Sequence, residues 1–569
     1  MPPRRQPGGG GECPRGARGP RARRRRRSRA LTPRFLPVGD AALSVELGDA
    51  IDPALNARVR GLDRAVRDRP FPGFREAAPT YRSLLVLYDW RATRFAEAVT
   101  ALQSLLDAAP AEERAGRLVQ VPTRYGGDDG PDLGDVARAR GLSEAEAVAM
   151  HSAPEYTAFM LGFIGGFAYL GPLPAALEMP RRSTPRVRVP AGSVGVAGRQ
   201  TGIYPMALPG GWNLIGRTSL RLFDPLADPP SLIQAGDRVR FVPVEELPPP
   251  APASRPVGRA GSPALEVLEG GLLTTVQDQG RIGWRHAGVS GSGALDARAL
   301  GAANRRVGNP AGTAALECTI AGPRLRFLAT TRFAITGGDL SAVLHRDDLG
   351  AWPVPLGARV LARAGNVLAF ADRRSGCRAY VAFAGGIDVP PVLGSRSTDL
   401  AGGFGGVAGR ALRAGDLIAL GPPTAPAAAA EPPLEEPETS HAGRTEDVTV
   451  RVVLGPQDDH FTPEALAVFL GEPHTLGPES DRVGCRLRGP RLAHRGAAEI
   501  VADGMAPGCV QVPPDGQPIV MMAGGPTTGG YPKIATVVSA DLGTLAQLVP
   551  GEGGVRFRAV TIEEAQREA

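Results

Sequence analysis

Apolar and polar positions follow one pattern before Phe159 and another after it. Before Phe159, segments with the spacing of strands alternate with segments of helical spacing, in the order strand, helix, strand, helix, strand. This order predicts a small α/β layer of about 90 residues. The strands are expected at Phe35 to Leu47, Tyr81 to Tyr88 and Leu118 to Pro122, and the helices at Asp52 to Val66 and Phe95 to Leu106. Ser143 and Glu146 then form a capping-box pattern, which predicts a helix that runs towards His151.

Short apolar runs broken by Gly and Pro follow Phe159, and they predict β-barrels or sandwiches. Two Pro-rich tracts lack the periodicity of a core and are interpreted as linkers. The whole chain is therefore predicted to be mainly β with a small N-terminal α/β layer. The predicted divisions are a disordered basic tail at 1–34, an α/β subdomain at 35–125, a β-barrel at 126–244, a linker at 245–263, a β subdomain at 264–421, a linker at 422–447 and a second β subdomain at 448–569.

An internal repeat supports tandem β units. A Thr-Gly-x-Tyr-Pro turn occurs at Thr201 to Met206 and again at Thr528 to Lys533, between similar flanking motifs. In this alignment Met206 is the counterpart of Lys533, so the turn forms without a cation. The flanking motifs are Val189 to Gly192 and Ala235 to Phe241 in the first copy, Val512 to Pro514 and Pro550 to Phe557 in the last, and Ala414 to Ile418 in the middle segment.

Lys533 is the only lysine among the 65 Lys and Arg residues. Arginine replaces lysine easily on a solvated surface but not where a compact ammonium is required. The surviving lysine is therefore a candidate functional residue, although an exposed loop charge remains the other explanation. Pro532 precedes it and Ile534 follows it, so the sequence contains neither a P-loop nor the usual surroundings of a biotinyl lysine.

The net charge of +7 is concentrated in the Arg-rich tail, which has no apolar segment typical of a secretory signal. No run approaches the ~18 apolar residues of a membrane helix. The five cysteines are scattered and form no C-x-x-C pair, so neither a disulfide framework nor a metal site is expected. These features predict a cytoplasmic protein that binds neither membrane nor nucleic acid.

Several polar clusters lie in Gly-rich surroundings. His151 and Glu155 are four residues apart and could act in acid–base chemistry, but a capping histidine beside a solvated glutamate explains them equally well. The remaining clusters are compatible with ordinary β-turns, and together they could bind a small polar amide or acid. They are Gln277 to Arg281, Gly288 to Gly293, Gly337 to Ser341 and Gly394 to Asp399.

Long motifs in both halves resemble one protein family. HSAPEYTAFMLGFIGGFAYL and GGWNLIGRT are similar to allophanate hydrolase subunit 1, which we equate with carboxyltransferase subdomains A and B. TVQDQGRIGWRHAGVSGSGALD, SDRVGCRL and TTGGYPKIATV are similar to subunit 2, equated with subdomains C and D. The resemblance covers nearly everything from residue 35 to 560, and it indicates a fusion within the family of the B and C subunits of ATP-dependent 5-oxoprolinases.

The resemblance implies tandem cyclophilin-like β-barrels and an enzyme component. Together with a separate partner similar to the third, A-type component of 5-oxoprolinase, it would open the lactam 5-oxo-L-proline to L-glutamate with ATP and Mg, without covalently bound biotin. Two alternatives stay open, since a fold does not determine a function. One is the carboxyltransferase component of a biotin-dependent urea or amide carboxylase, and the other is a binding protein similar to inhibitors of a sporulation kinase.

The site is expected between the two halves. Lys533 and Arg396 would hold a carboxylate or oxyanion, while proton transfer and hydrogen bonds would come from His151, Glu155, Asp278 and Asp339. Two departures from the family pattern concern Gly165, where Pro is usual, and Gly524, in the segment where an Asp usually precedes the TTGGYP motif. The further substrate-binding candidates are Gln200, Tyr204, Gln277, Arg281, Ser290, Thr528 and Tyr531.

Overall fold

The computed structural model describes residues 32–108, 116–252, 254, 261–423 and 447–568. Residues 1–31 of the predicted tail, most of the second predicted linker and part of the first lie outside the described residues. Arg34, predicted to end the tail, instead begins the first strand, and Pro263, predicted to end the first linker, begins another. Among the described helices, none is both long and apolar enough to cross a membrane.

The N-terminal layer is a four-stranded antiparallel sheet with two helices. Its strand order is β1-β2-β4-β3. The single strand expected over Phe35 to Leu47 is a hairpin, because Gly39 adopts a φ of +70° and lets the chain reverse. The elements are β1 Arg34–Pro37, β2 Ala42–Glu46, α1 Pro53–Asp68, β3 Phe74–Pro79, β4 Ser83–Tyr88 and α2 Phe95–Ala108.

A closed seven-stranded barrel follows, in the order β10-β7-β6-β13-β5-β12-β9. Its first and last strands, β5 and β13, pair in parallel, and β8 and β11 form a separate two-stranded sheet. The elements are β5 Leu118–Tyr125, α3 Leu133–Arg140, α4 Glu144–Ser152, β6 Tyr156–Leu161, β7 Ala168–Gly171, β8 Arg186–Val189, β9 Ser193–Ala197, β10 Gln200–Ile203, β11 Leu208–Gly210, β12 Asn213–Arg217 and β13 Arg238–Pro243.

Two predictions for this region have different outcomes. The capping box at Ser143 is present, because its side chain accepts from the backbone of Glu146 and the Glu146 side chain accepts from the Ser143 backbone. The predicted boundary at residue 125 is wrong, because the strand Leu118–Tyr125 pairs with β12 and β13 and belongs to the barrel. The periodicity identified a strand there but carried no information about its neighbours.

The middle of the chain is a sandwich of two antiparallel sheets, ordered β20-β19-β22-β17-β14-β24 and β15-β16-β23-β18-β21. One hydrophobic core contains residues from both sheets, among them Leu325 and Phe383. The elements are β14 Pro263–Glu269, β15 Leu273–Gln277, α5 Ala297–Arg306, β16 Ala315–Thr319, β17 Arg324–Phe327, β18 Thr331–Asp339, β19 Ala342–Arg346, β20 Gly350–Pro353, β21 Arg359–Ala362, β22 Val367–Phe370, β23 Ser375–Phe383 and β24 Leu417–Ala419.

A second closed seven-stranded barrel completes the chain, in the order β25-β32-β29-β30-β27-β26-β33. Its first and last strands again pair in parallel. The elements are β25 Val448–Leu454, α6 Pro463–Gly471, β26 His474–Leu476, β27 Gly484–Arg488, β28 Asp503–Gly504, β29 Cys509–Gln511, β30 Ile519–Met521, β31 Thr528–Gly529, β32 Lys533–Val537, α7 Leu542–Ala546, β33 Gly554–Ala559 and α8 Ile562–Glu568.

The two barrels share one topology, which confirms the mainly β fold with tandem barrels but corrects the repeat alignment. The strand beside β5 is β12, and the strand beside β25 is β32. Leu214 pairs with Gly195 next to a bulge in β12, as Lys533 pairs with Gln511 next to a bulge in β32. The counterpart of Lys533, which begins β32, is therefore Leu214, the second residue of β12, and not Met206. The similar letters of the two Tyr-Pro turns misled the alignment, since β10, which contains Thr201, occupies the barrel position of β30.

Candidate functional site

Lys533 lies in a buried ion pair rather than on an exposed loop. Its Nζ donates to Asp503 Oδ2 at 2.8 Å, and the two side chains are 1% and 3% exposed. Gln457 Nε2 donates to the same oxygen at 3.1 Å, and Gln457 Oε1 accepts from the Lys533 backbone N–H at 3.2 Å. A buried ammonium is stable only with such partners. The exposed-charge explanation is therefore wrong.

The ion pair joins the second barrel to the N-terminal layer. Ser83, the first residue of β4, donates its hydroxyl hydrogen to Asp503 Oδ1. Asp503 is the first residue of β28, whose two residues pair with β31 immediately before Lys533. The chain thus places the acid and the lysine side by side, and tertiary packing adds the serine.

Two carboxylates in this region, Asp503 and Glu46, have pKa values shifted in opposite directions. Burial raises the pKa of Asp503, but the nearby Lys533 charge and its hydrogen bond outweigh it and lower the pKa to about 2. The pKa of Glu46 is raised, mainly by burial and then by the Asp503 charge, although Arg82 lies 3.8 Å away. Asp503 is therefore the stable anion, and it accepts one of the three ammonium hydrogens of Lys533.

A second buried ion pair connects the same layer to the segment before α5. Arg285 Nε donates to Glu76 Oε1 at 2.9 Å, and Arg285 Nη1 donates to the Met505 carbonyl at 3.1 Å. The Gly283 N–H donates to Glu76 Oε2 at 2.9 Å. Both side chains of the pair are at most 5% exposed. Three parts of the chain thus meet at this contact.

A third buried pair, Glu317 with Arg482, joins the sandwich to the second barrel. Tyr380 OH and the Leu295 N–H both donate to Glu317 Oε2 at 2.8 and 2.9 Å. Burial opposes ionisation, but Arg482 and then Arg378 hold the pKa of Glu317 below its usual value. Arg482 also donates to the Gly293 carbonyl. The SDRVGCRL motif therefore contributes to the contact between the sandwich and the second barrel.

The predicted His151/Glu155 pair is not formed. His151 is fully buried in the first barrel, with Nδ1 2.7 Å from Tyr125 OH and Nε2 2.9 Å from Thr201 Oγ1. Burial lowers its pKa to about 3, so the ring is neutral at pH 7. Glu155 instead pairs on the surface with Arg238 and Arg240. Sequence spacing placed the two residues four apart, but α4 ends at Ser152, between them.

Predicted residues do come together around Asp278. Its Oδ1 accepts from the Gly280 N–H and from the hydroxyls of Ser395 and Ser397, and its Oδ2 accepts from the Arg396 N–H at 2.7 Å. Arg396 Nε donates to the Val389 carbonyl at 2.9 Å. The Asp278 carboxylate therefore organises the loop that carries Arg396. Gln277, also buried, donates to Thr275 and Thr398 and accepts from the Gly293 N–H.

Arg281 is the notable cation of this loop cluster. It is 3% exposed, with Nε donating to the Val392 carbonyl and Nη2 to the Ser397 carbonyl. Its guanidinium lies 4.7 Å from the Phe404 ring centroid. Nη1 is buried and has no hydrogen-bond partner among the described residues. Burial lowers the pKa of Arg281, although the nearby charges of Asp399 and Asp278 oppose the shift.

Thr528 and Ser290 lie where the halves touch. A Cβ added at Gly162 would come within 2.3 Å of Thr528 Oγ1, and one at Gly288 would come within 2.5 Å of the Ile164 carbonyl. Only glycine allows these approaches. Ser290 Oγ donates to the Ala523 carbonyl at 3.0 Å. The loop after β6 thus contacts both motifs of the second half, and its Phe163 has a φ of +69°, which is unusual for a bulky residue.

The two departures from the family pattern have structural explanations. A Cβ at Gly165 would lie 2.8 Å from the Phe223 ring, so Phe223 fills the space beside this turn. A Cβ at Gly524 would lie 2.8 Å from the Arg482 carbonyl, so no carboxylate fits there. The acid that holds Lys533 is Asp503. Sequence reasoning missed it together with Ser83 and Gln457, and no local signal connects these residues.

The remaining candidates do not join one cluster. Asp339 ends β18, accepts from the Ser341 N–H at 2.8 Å and lies 3.8 Å from Arg374. Gln200 begins β10, and Tyr204 is buried beside Phe167 and Trp212 in the first barrel. Tyr531 is half-buried between β31 and β32. Within the described ranges, no group of three His, Cys, Asp or Glu side chains is placed to hold a metal ion.

Two carboxyltransferase family models match this chain. Subdomains C and D match residues 33–233, and subdomains A and B match residues 287–559. The order expected from the motifs was the reverse, so our assignment of the subdomain letters is wrong. The motifs themselves were attributed to the right family, because relatives of both halves are found.

The curated relatives of the two halves are components of one enzyme. The chain is 40% identical over 305 residues to the C subunit of 5-oxoprolinase from Escherichia coli K12, covering 53% of this chain and 93% of the relative. It is 44% identical over 209 residues to the B subunit of 5-oxoprolinase from Escherichia coli O157:H7, covering 37% and 95%. A urea amidolyase of Lachancea kluyveri is 34% identical over 325 residues, which is 53% of this chain and only 17% of that protein.

A solved structure covers both halves at once. The crystal structure of TTHA0988 is 37% identical, has a TM-score of 0.77, and matches 91% of this chain and 99% of that chain. The arrangement of a B-like half followed by a C-like half therefore occurs as one continuous polypeptide in a second protein.

Proposed function

We propose, on the premise that this chain belongs to the carboxyltransferase-domain family that includes the B and C subunits of 5-oxoprolinase, that it is the fused B/C component of an ATP-dependent 5-oxoprolinase. With a separate A-type protein, it opens the lactam 5-oxo-L-proline to L-glutamate. The observation that carries the proposal is that the chain covers more than nine-tenths of one relative of the B type and of one relative of the C type. ATP, with Mg, acts in the assembled complex, which fits a cytoplasmic location.

The contacts between the halves support a single working unit. The Ser83–Asp503–Lys533 and Glu76–Arg285 contacts bind elements of the first half to elements of the second. Residues near this junction are thereby held in one geometry, which catalysis by positioning requires. In this proposal Lys533 is a positioning residue, since its ammonium is buried and paired with Asp503.

Arg281 is the residue best suited to hold the substrate carboxylate. Its buried Nη1 lacks a protein acceptor among the described residues, and an unpaired buried donor is expected to serve a ligand. Asp278 fixes the neighbouring loop, so that Arg396 lies in the same cluster. Arg281 and Arg396 thus keep the substrate-binding roles predicted from the sequence. Asp278 keeps its predicted role of supplying hydrogen bonds.

The carboxyltransferase alternative has less support. A urea amidolyase matches only about half of this chain and a small part of its own length. Lys533 is the only lysine and is 1% exposed, so it offers no attachment point for biotin. This chain would therefore carry no covalent biotin itself.

The test is reconstitution with an A-type 5-oxoprolinase protein. ATP-dependent release of L-glutamate from 5-oxo-L-proline is measured for the pair and for each protein alone. We expect turnover only with both. Consumption of carboxybiotin in the presence of urea, without glutamate release, would establish the alternative, and binding of a histidine kinase domain without any turnover would establish the inhibitor-like role.

Two variants test the assigned roles in that assay. Arg281→Met is expected to raise the KM for 5-oxo-L-proline at least about tenfold, because a charge-assisted hydrogen bond is lost. Lys533→Arg is expected to lower turnover and thermal stability together, since a guanidinium does not fit the site of a compact ammonium. Arg138→Ala, on an exposed helix face, is the matched control. Unchanged kinetics in Arg281→Met would remove its binding role.

A further inference from the structure

A cavity of about 430 Å³ opens where three parts of the chain meet, and the Asp278 loop cluster does not line it. Helix α1 of the N-terminal layer forms one wall, the loop from Asp228 to Ala235 before β13 forms the second, and the segment Gly283 to Ala287 forms the third. Small-molecule sites have volumes of roughly 300 to 1,000 Å³ and prefer such junctions.

The wall on α1 carries three arginines and Asp63, which pairs with Arg67, so its net charge is positive, and the facing loop adds Asp228. Arg60, Arg64 and Arg67 line the cavity at positions i, i+4 and i+7, which lie on one helix face. Arg67 is held in place, because Nε donates to Asp63 Oδ1 at 2.9 Å and Nη2 to the Ala77 carbonyl at 2.6 Å. Arg60 Nε donates to Asn56 at 3.0 Å. Arg64 is exposed at the rim.

The opposite walls offer polar atoms with no partner in the described part of the chain. Ser231 is 3% exposed, and its buried Oγ has no hydrogen bond there. His286 Nδ1 is also buried and unpartnered. Burial, followed by the charge of Arg67, lowers the pKa of His286 to about 4, so a neutral ring lines the cavity at pH 7. Buried polar atoms normally have partners, and the two residues that carry these atoms both line the cavity, which points to a ligand.

The third wall also carries a flat apolar surface. The rings of Trp284 and His286 stack with centroids 6.1 Å apart and an angle of 20° between their planes. Trp284 is half-buried and lines the cavity. A ligand with an anionic group and a compact ring or chain would place its charge towards α1 and its body against the indole.

We propose that this cavity is a binding site for a small ligand that carries a carboxylate or phosphate group. The arginine face of α1 attracts the oxyanion, and the Ser231 hydroxyl and the His286 ring complete its hydrogen bonds. The site is assembled from both halves, since α1 and Ser231 belong to the first and Trp284 and His286 to the second. The proposal goes beyond the proposed enzymatic function, because the residues assigned to substrate binding around Asp278 do not line this cavity, and it does not require the A-type protein.

Direct binding to the purified full chain tests the proposal. Isothermal titration uses four probes: inorganic phosphate, ATP, 5-oxo-L-proline and L-glutamate. Arg64→Glu is expected to weaken binding of the recognised probe at least about tenfold, because an attractive charge becomes repulsive. Ser231→Ala, which removes only the hydroxyl, is expected to weaken it by about threefold or more. Arg58→Glu, on another face of α1, is the matched control and is expected to change affinity less than about twofold.

The outcomes separate the two sources of the oxyanion. Loss of phosphate and ATP binding in Arg64→Glu assigns the site to a phosphate, and loss of 5-oxo-L-proline or L-glutamate binding assigns it to a carboxylate. The proposal is overturned if wild type binds none of the probes, or if Arg64→Glu and Ser231→Ala bind as wild type does. It is also overturned if Arg58→Glu loses as much affinity as Arg64→Glu. Glutamate release with the A-type protein, measured in parallel, decides the proposed function independently.

Discussion

The two barrels have the same strand order but use the first residue of one equivalent strand differently. Asn213, at the start of β12, donates through Nδ2 to the carbonyls of Pro180 and Val196, within its own barrel region. Lys533, at the start of β32, pairs with Asp503, which also accepts from Ser83 in the N-terminal layer. The start of β12 therefore makes its contacts within its own barrel region, whereas the start of β32 joins two domains.

The difference teaches that the lysine is retained for its length and charge in a buried contact. An amide can satisfy backbone carbonyls at short range, but it cannot neutralise a buried carboxylate. An arginine carries the charge but is planar and wider. A chain that has replaced lysine with arginine elsewhere keeps it where the substitution costs most.

The largest expected effect comes from breaking the ion pair between Lys533 and Asp503. Lys533→Met leaves Asp503 buried without its cation, and we expect the free energy of unfolding to fall by about 3 to 5 kcal/mol. Asn213→Ala removes two neutral hydrogen bonds and is expected to cost about 1 to 2 kcal/mol. Urea unfolding of both variants measures the difference. Adding Asp503→Asn to Lys533→Met should recover part of the loss, and equal losses in the two single variants would contradict the comparison.

Lowering the pH should destabilise the two barrels in different pH ranges. The pKa of His151 is lowered from 6.5 to about 3, so the unfolded chain binds the proton first, and stability falls as pH drops below about 6.5. The pKa of Asp503 is lowered from 3.8 to about 2, so its contribution is lost only as pH falls below about 4.

Unfolding measured between pH 7 and pH 4 tests this order. In His151→Gln, the decline should be shallower by about 1.4 kcal/mol per pH unit below pH 6.5, which corresponds to one proton. His286, whose pKa is also lowered, contributes in the same range and remains present as an internal reference. An identical slope in wild type and variant would show that His151 does not titrate on unfolding.

A smaller effect is expected from removing the hydrogen bond between Ser83 and Asp503. Ser83→Ala removes the hydroxyl that donates to Asp503 but keeps the ion pair, and a loss of about 1 to 2 kcal/mol is expected. Ser104→Ala, on the exposed side of α2, controls for helix and side-chain effects. Hydrogen exchange of β4 and β28 should increase together in Ser83→Ala. Faster exchange in only one of them would indicate that the serine does not couple the layer to the barrel.

The smallest effect is expected at the surface pair of the first barrel. Glu155→Gln weakens contacts with Arg238 and Arg240, whose side chains are 47% and 43% exposed. Solvent screening limits the loss to about 1 kcal/mol or less. Unfolding measured at low and at high salt should show that this small difference in the free energy of unfolding disappears at high salt. A loss as large as that of Lys533→Met would mean that exposure does not distinguish the two kinds of ion pair.

Local chemistry was predictable from the sequence, and long-range pairing was not. The Ser143 capping box involves neighbours three residues apart, so it could be recognised directly. Lys533 stood out by composition, but its partners Asp503 and Ser83 lie 30 and 450 residues away. Their meeting depends on how the second barrel packs on β4, which no periodicity encodes.

The failed alignment of the two Tyr-Pro turns has the same origin. Residue letters in a Gly-rich turn describe local backbone conformation, while the barrel position of a strand depends on its ladder partners. Leu214 and Lys533 share the same ladder position but no side-chain chemistry. His151 and Glu155, in contrast, share a short motif but no contact.

The buried charges between the halves also bear on why a single polypeptide is useful. As separate proteins, the halves would leave Glu76 and Arg285 without each other and would have to desolvate both charges at every encounter. A covalent connection holds the halves at high effective concentration and enforces a one-to-one ratio, so that their docking no longer depends on how much of each is made. Gene fusion thereby turns a concentration-dependent assembly into a step of folding.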